Sequence, residues 1–415
     1  MSALQAAYVT STGSFLPGPP VPNDEIEEIL GAVHGVPSRL RTRILRSNRI
    51  RTRHYAMDRE QHTTYENCEL AALAAEACLS HAFIDRVDVD MLAVGSAQGD
   101  LPLPGMASMV QTELNLPPCE LLSTHGVCSA GIAALKSAVN QVRLGEKRNA
   151  LVCASELTSR LLKRSRYEVA PADAVDFEAE FLRWMLSDGA GAALVQQRPR
   201  PRGVSLRVDW IEITSYASDF DICMSCGTAD QKPWSASSSR LAGGPVSDGS
   251  VSSGAPESTR CEQSSITPRR TWQDYATCGD AERAGALLLR QNVRIFENVL
   301  KVGADGFLRL VQQGRITTDE IDHLLCHYSS HYFKSKIVDL FRMAGCLVPE
   351  ERWFTNLYSK GNTGCASIFI MLDELFHSGR LKPGEIVFCM IPESARFMVA
   401  YAKMTVVEGT EWPSQ

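Results

Sequence analysis

Apolar residues along this chain follow two patterns, which predict two kinds of element. Short, nearly continuous apolar runs predict strands that are covered on both faces, and apolar residues spaced three or four positions apart predict helices. The main predicted strands are Asp90–Ser96, Ala150–Glu156, Asp322–Tyr328 and Ile386–Glu393. The main predicted helices are Tyr65–Ala82, Ile132–Leu144, Leu287–Gln312 and Ile368–His377. This mixture of strands and helices predicts an α/β fold.

The order of these elements is repeated in the two halves of the chain. Units of helix, turn and strand at 65–96 and 132–156 have counterparts at 287–328 and 368–393. One constant shift in numbering places Cys128 on Cys365 and also Glu156 on Glu393. We therefore predict two similar halves, residues 1–200 and 201–415, in a layered α-β-α-β-α arrangement. Equivalent loops of the two halves are expected to meet at one site.

The stretch Ser123–Gly131 carries the first candidate for chemistry, Cys128. It leads from an apolar run into a predicted helix, where free backbone N–H groups and the helix dipole favour a thiolate. Taken alone, the stretch fits a buried and inert cysteine better, since free cysteine is among the most buried residue types. The repeat changes this interpretation, because it brings His327 and Asn362 to loops that converge with the Cys128 turn.

Composition and charge restrict the class of protein. The 415 residues carry a formal net charge of −6, which argues against nucleic acid as the main partner. No apolar run is long enough to span a membrane, and the N-terminus has no basic region followed by an apolar core, so neither a membrane span nor a secretory signal is expected. The 13 scattered cysteines suit reduced thiols in the cytoplasm. The pair Cys223 and Cys226 lacks a second pair at zinc spacing, so no metal site is expected.

Seven short motifs resemble, in order, the β-ketoacyl-acyl carrier protein synthase III group of the thiolase superfamily. They are Thr12–Pro17, Arg49–His54, Gly126–Gly131, Asp188–Ala193, Asp322–His327, Gly361–Ile368 and Gly379–Glu385. The resemblance covers nearly the whole chain except Gln231–Arg270, whose Ser, Gly and Pro content predicts a mobile surface loop or a lid. The resemblance implies a thiolase fold with duplicated halves.

The resemblance also implies roles for three residues. Cys128 matches the nucleophile that takes an acyl group from a CoA or carrier-protein thioester. His327 and Asn362 match the pair that binds the thioester carbonyl of a malonyl donor. Hydrogen-bond donors at that oxygen stabilise the enolate left by decarboxylation, and the enolate carbon then attacks the acyl-cysteine. Thioesters of CoA or phosphopantetheine are the implied substrates, and no separate cofactor is expected.

Three further residues take binding roles from the resemblance. Arg51 matches an arginine near the CoA entrance, within a segment whose arginines suit a phosphate-bearing ligand. Leu103 falls where family members send a side chain across a dimer interface into the partner's acyl tunnel. Ser394 lies in the loop that contributes to the acyl pocket and the oxyanion hole. The implied partners are acyl-CoA, an acyl carrier protein and a second copy of the chain in a homodimer.

Two departures from the family pattern leave alternatives open. His-Tyr-Ser-Ser at 327–330 replaces His-Gln-Ala-Asn, and Ile391–Phe397 replaces a glycine-rich loop. Together with the Ser-rich insert, these indicate a relative in secondary metabolism. The alternatives are acyl transfer to an oxygen or nitrogen nucleophile, condensation and cyclisation of two β-keto chains, and a non-catalytic partner of a ketosynthase. His323 and His331 are expected to be structural, and His125 to lie outside the site.

Overall fold

The computed structural model describes residues 4–82, 84–230 and 270–409. Its strands are β1 (Tyr8–Phe15), β2 (Val21–Pro22), β3 (Thr52–Arg53), β4 (Met91–Ser96), β5 (Glu120–His125), β6 (Asn149–Glu156), β7 (Gly189–Gln196), β8 (Val204–Ser215), β9 (Met224–Ser225), β10 (Arg290–Gln291), β11 (His323–Cys326), β12 (Trp353–Phe354), β13 (Ile386–Pro392) and β14 (Met398–Glu408). Its helices are α1 (Ile26–Leu30), α2 (Arg41–Asn48), α3 (Asn67–Ser80), α4 (Met106–Glu113), α5 (Ala130–Leu144), α6 (Arg164–Glu168), α7 (Phe177–Phe181), α8 (Cys278–Arg283), α9 (Phe296–Gln312), α10 (His331–Met343), α11 (Leu357–Lys360) and α12 (Ser367–His377).

The large sheet consists of two halves with the same strand order. The first half runs β5-β4-β6-β7-β1 and the second runs β12-β11-β13-β14-β8. In each half the three strands at the outer edge are parallel, and the remaining neighbours are antiparallel. Strands β1 and β8 join the halves through only two residue pairs, Tyr8 with Arg207 and Val9 with Leu206. The duplication that the sequence predicts is therefore present strand by strand.

Side chains that alternate along the strands divide the protein into five layers. On β6, Ala150, Val152 and Ala154 share one core with α5, α12 and the inner face of the second half. Leu151 and Cys153 face the opposite way, toward α3 and α4. On β13, Phe388 and Met390 turn outward to the core of α9 and α10. The predicted layered α-β-α-β-α arrangement is thus confirmed, with α5 and α12 in its central layer.

One predicted helix begins later than expected. The pattern predicted a helix from Leu287, whereas α9 begins at Phe296. The residues before α9 are not helical, because Arg290 and Gln291 form strand β10. They pair with Ser225 and Met224 of β9. The predicted loop or lid at 231–270 lies outside the described residues except for Arg270. No described helix has both the length and the apolar character needed to cross a membrane.

Candidate active site

Cys128 lies in the turn between β5 and α5, two residues before the helix begins. The turn packs tightly against the end of β4. A Cβ atom on Gly95 would lie only 2.6 Å from the carbonyl carbon of Ala130, so a residue without a side chain is needed there. The same packing buries Cys128, which is 5% exposed.

Electrostatics around Cys128 contradict the expected thiolate. Burial raises the pKa of the thiol well above its usual range, and the carboxylates of Glu393 and Glu156 raise it further. The backbone N–H groups of Cys128 and Ser394 act in the opposite direction but are outweighed. The expectation from the helix terminus was therefore wrong, because desolvation and two carboxylates outweigh the partial charge of the helix end. At neutral pH, the resting residue is a thiol.

His327 follows β11 directly and is held in place by β13. Its backbone N–H donates to the carbonyl of Met390 at 2.9 Å. The imidazole is 5% exposed, and burial lowers the pKa of His327 to about 4. No hydrogen-bond partner for Nε2 exists among the described residues. The residue therefore offers a neutral imidazole with a free ring nitrogen.

Asn362 lies in the turn between α11 and α12 and is tied to the first half of the chain. Its backbone N–H donates to Met185 at 3.0 Å, and its carbonyl accepts from the Ser187 N–H at 2.9 Å. The side-chain oxygen accepts from the N–H of Gly364 at 3.0 Å. That bond fixes the side chain and leaves its Nδ2 group as the donor for a ligand. The residue is 4% exposed.

Contacts between the two halves bring the loops of these three residues to one end of the sheet. The N–H of Cys365, next to the Asn362 turn, donates to Glu156 at the end of β6 at 3.2 Å. The carbonyl of Cys365 also closely approaches the first turn of α5, since a Cβ on Gly131 would lie 3.0 Å from it. Because β5, β6, β11 and β13 all end here, their carboxyl ends form the floor of one candidate site.

The loop after β13 is organised by Glu393, a residue that sequence reasoning did not assign to the site. Its carboxylate accepts from the N–H groups of Ala395 at 3.0 Å, Arg396 at 3.1 Å and Met398 at 3.2 Å. These bonds support the left-handed conformation of Phe397, whose φ is 60°. The available signal was the repeat itself, which places Glu393 on Glu156.

Ser394 lies inside this loop and is buried, and its N–H is directed at Cys128. Backbone hydrogen bonds anchor the loop to the segment that follows β8. Cys223 N–H donates to Ala395 at 2.9 Å, and Tyr216 N–H donates to Phe397 at 2.9 Å. The loop at 391–397 is therefore fixed by carboxylate and backbone contacts.

The other residues singled out from the sequence lie further out. Arg51 is exposed, and its backbone N–H donates to Tyr358 on α11 at 2.8 Å. Leu103 is 84% exposed in the loop between β4 and α4. His125 is exposed as well.

The two remaining histidines have structural partners. His323 pairs with Glu385 at 2.9 Å, and His331 pairs with the Tyr358 hydroxyl at 2.7 Å. Within the described ranges, no group of three or more His, Cys, Asp or Glu side chains is arranged to hold a metal ion.

Two family models match this chain. The model described as 3-oxoacyl-[acyl-carrier-protein (ACP)] synthase III matches residues 123–211, which include Cys128. The model of its C-terminal part matches residues 311–390, which include His327 and Asn362. A β-ketoacyl-[acyl-carrier-protein] synthase III of Dinoroseobacter shibae is 30% identical over 201 residues, 48% of this chain and 54% of the relative. The match thus spans about half the length of that relative.

Solved structures with low sequence identity share the fold. A 3-oxoacyl-[acyl-carrier-protein] synthase III from Aquifex aeolicus matches with a TM-score of 0.66 and 17% identity, over 96% of this chain and 99% of that one. OleA from Xanthomonas campestris, solved with lauric acid and lauroyl-CoA, matches with a TM-score of 0.68 and 16% identity, over 97% and 99%. The two matched stretches are thus similar to 3-oxoacyl-[acyl-carrier-protein] synthase III, and the chain as a whole shares the fold of these solved structures.

Proposed function

We propose that this protein is an acyltransferase of the ketosynthase III type that forms a carbon–carbon bond. An acyl group is loaded onto Cys128 from a CoA or carrier-protein thioester, and a malonyl- or β-ketoacyl-thioester then attacks it in a Claisen condensation. The observation that carries the proposal is the convergence of three buried groups from both halves: a thiol, a neutral imidazole and an amide donor. Acyl transfer requires a nucleophile, here the thiol, and hydrogen-bond donors, here the imidazole and the amide.

The loading step follows from the neutral thiol of Cys128. Its sulfur forms a bond to the thioester carbonyl carbon, the bond from that carbon to the departing sulfur breaks, and the thiol proton leaves with the departing thiol. The backbone N–H groups of Cys128 and Ser394 supply donors where negative charge develops on the carbonyl oxygen. Arg51 at the surface suits the phosphates of CoA or phosphopantetheine.

The condensation step uses His327 and Asn362. Burial keeps His327 neutral at physiological pH, since its pKa is lowered to about 4. A neutral imidazole N–H and the Asn362 Nδ2 donate to the thioester oxygen of the second substrate. With a malonyl group, the electrons of the bond to the departing CO₂ form the enolate, whose oxygen these donors stabilise. The enolate carbon then displaces the Cys128 sulfur from the acyl group.

Further parts of the proposal concern assembly and location. We propose a homodimer in which Leu103 enters the acyl pocket of the second copy, and the exposure of Leu103 supports this role. The twelve cysteines in the described ranges are all free, which fits the reducing cytoplasm. An altered loop at 391–397 favours, as a second candidate, condensation followed by ring closure or acyl transfer to an oxygen or nitrogen nucleophile.

Mass measurement of the intact protein tests the loading step. Wild-type protein, Cys128→Ala and Cys226→Ala are incubated with a panel of acyl-CoAs and acyl carrier proteins, and the modified peptide is identified. We expect one acyl group on Cys128, none in Cys128→Ala, and full loading in Cys226→Ala, which removes an exposed cysteine as the matched control. Acylation that persists in Cys128→Ala would refute the assignment. Release of CO₂ with malonyl substrates separates condensation from simple acyl transfer.

A further inference from the structure

A small cleft beside His327 contains more polar groups than the proposed chemistry uses. The cleft is narrow, with room for about one water-sized group, and it opens partly to solvent. It is lined by Cys326, His327, Tyr328, Ser329, Thr355, Asn356, Leu357, Gly361, Ser367 and Met371. Three of these side chains carry a buried polar atom without a hydrogen-bond partner among the described residues: His327 Nε2, Tyr328 Oη and Asn356 Nδ2.

Unpaired buried polar atoms are uncommon in folded proteins, because each gives up its hydrogen bonds to water without replacement. Here three of them line one cleft, and the residues that carry them are 9% exposed or less. The Tyr328 hydroxyl interacts with those of Thr355 and Tyr358, but neither contact has the geometry of a full hydrogen bond. The cleft can therefore pair with a small polar group, either a water molecule or the oxygen of a ligand.

The position of Tyr328 is fixed by its surroundings. Its ring packs against Trp353, with ring centroids 6.3 Å apart. The next residue, Ser329, has a left-handed backbone with a φ of 51°, which turns the chain sharply after Tyr328. A side chain held in this way belongs to the same cleft that His327 lines, and its position there is defined.

The lining of the cleft is polar but carries no fixed charge. None of its lining residues is Asp, Glu, Lys or Arg. Burial raises the pKa of Tyr328 and lowers that of His327, so at neutral pH the phenol keeps its proton and the imidazole is neutral. Tyr328 and Asn356 therefore act as two neutral hydrogen-bond donors.

We propose that Tyr328 and Asn356 form a second oxygen-binding subsite that holds the β-keto oxygen of a β-ketoacyl thioester, the substrate that attacks acyl-Cys128. The inference rests on the proposed function, in which His327 and Asn362 bind the thioester oxygen of that same substrate. The two pairs of donors then hold the two oxygens of a 1,3-dicarbonyl group. Tyr328 occupies a position where this chain departs from the family pattern, so the subsite is a property of this chain.

Chemistry favours a β-ketone over a β-carboxylate in this subsite. A malonyl carboxylate must lose its contacts as CO₂ departs, so donors that bind it stabilise the ground state and slow the reaction. A β-ketone keeps its oxygen throughout. Its α-carbon loses a proton, which ends on the Cys128 sulfur as that sulfur is displaced from the acyl group, and the β-oxygen shares the negative charge of the enolate. Donors at this oxygen therefore bind the transition state better than the ground state. In addition, a carboxylate would enter a buried cleft that has no cation to pair with it.

Calorimetry on the Cys128→Ala protein tests the proposal without transfer of an acyl group to the enzyme. Three CoA thioesters serve as probes: acetoacetyl-CoA, butyryl-CoA, which has the same chain length but no β-oxygen, and malonyl-CoA. We expect acetoacetyl-CoA to bind about 3- to 10-fold more tightly than butyryl-CoA and also more tightly than malonyl-CoA. Adding Tyr328→Phe should abolish the preference over butyryl-CoA. Tyr332→Phe, which alters a half-exposed tyrosine on α10, is the matched control and should retain it.

A second variant tests the same subsite independently, in case Tyr328→Phe fails to fold. Asn356→Asp keeps the shape of the side chain but replaces the donor by an acceptor, so it too should abolish the preference for acetoacetyl-CoA. Equal binding of acetoacetyl- and butyryl-CoA to the parent, equal weakening of both by Tyr328→Phe, or tighter binding of malonyl-CoA would each overturn the inference. Binding in Cys128→Ala requires no acyl-enzyme. If Cys128 fails to load but the Tyr328-dependent preference remains, the proposed function fails while the subsite stands.

Discussion

Glu156 provides a sharp test of the electrostatics around the site. This buried carboxylate at the end of β6 accepts from the N–H groups of Cys365 at 3.2 Å and Ala97 at 3.3 Å. Those bonds favour the ionised form, but burial dominates and raises the pKa of Glu156 from 4.5 to about 7. We therefore expect Glu156→Gln to change how the stability of the protein depends on pH.

The sign and size of the effect follow from linkage. Since the folded state binds the proton more tightly than the unfolded state, this group destabilises the fold as it ionises. The free energy of unfolding of the wild type falls as pH rises from 4.5 to about 7. A shift of this size corresponds to about 3 kcal/mol. Glutamine has no proton to lose, so the difference in unfolding free energy, variant minus wild type, should rise by about 3 kcal/mol across this range.

Urea denaturation at a series of pH values between 4.5 and 8 measures this difference. Any constant cost of the glutamine amide, from a weakened bond to Cys365 or Ala97, shifts all points equally and leaves the trend unchanged. Glu351→Gln removes one exposed carboxylate and serves as the charge-matched control, with no comparable trend expected. A difference between Glu156→Gln and wild type that is flat across this pH range would refute the reasoning.

Three further predictions concern the site. Alkylation of Cys128 by iodoacetamide should accelerate about tenfold per pH unit from pH 6 to 9, because burial keeps the thiol protonated; peptide mass spectrometry measures it, and a plateau below pH 8 would contradict it. His327→Ala should still load an acyl group onto Cys128 but lose about 10²- to 10³-fold in condensation; equal losses in separate assays of the two half-reactions would argue against the assigned role. Gly364→Ala should lower the melting temperature markedly, since the residue has a φ of 53° and its new Cβ would lie 2.8 Å from Glu156 Cγ; an unchanged melting temperature would exclude this clash.

The fold was predictable from the sequence because its signal is repeated and local. Strands such as β6 and β13 are buried on both faces, so their apolar runs are nearly continuous and stand out in each half. The start of α9 was misplaced because the pairing of β10 with β9 depends on residues far apart along the chain. The pKa of Cys128 was misjudged for the same reason, since its two carboxylate neighbours come from β6 and the loop after β13.

The equivalent carboxylates of the two halves accept hydrogen bonds from different parts of the protein. Glu156 accepts from Cys365 and so reaches across to the other half, whereas Glu393 accepts from N–H groups within its own loop. Cys128 is influenced by both, and the described groups that act on its pKa include two carboxylates and two N–H donors but no cation. These surroundings disfavour a thiolate at Cys128 before a substrate binds. In the proposed loading step, the proton of Cys128 passes to the departing thiol, which links the reactivity of Cys128 to the bound thioester.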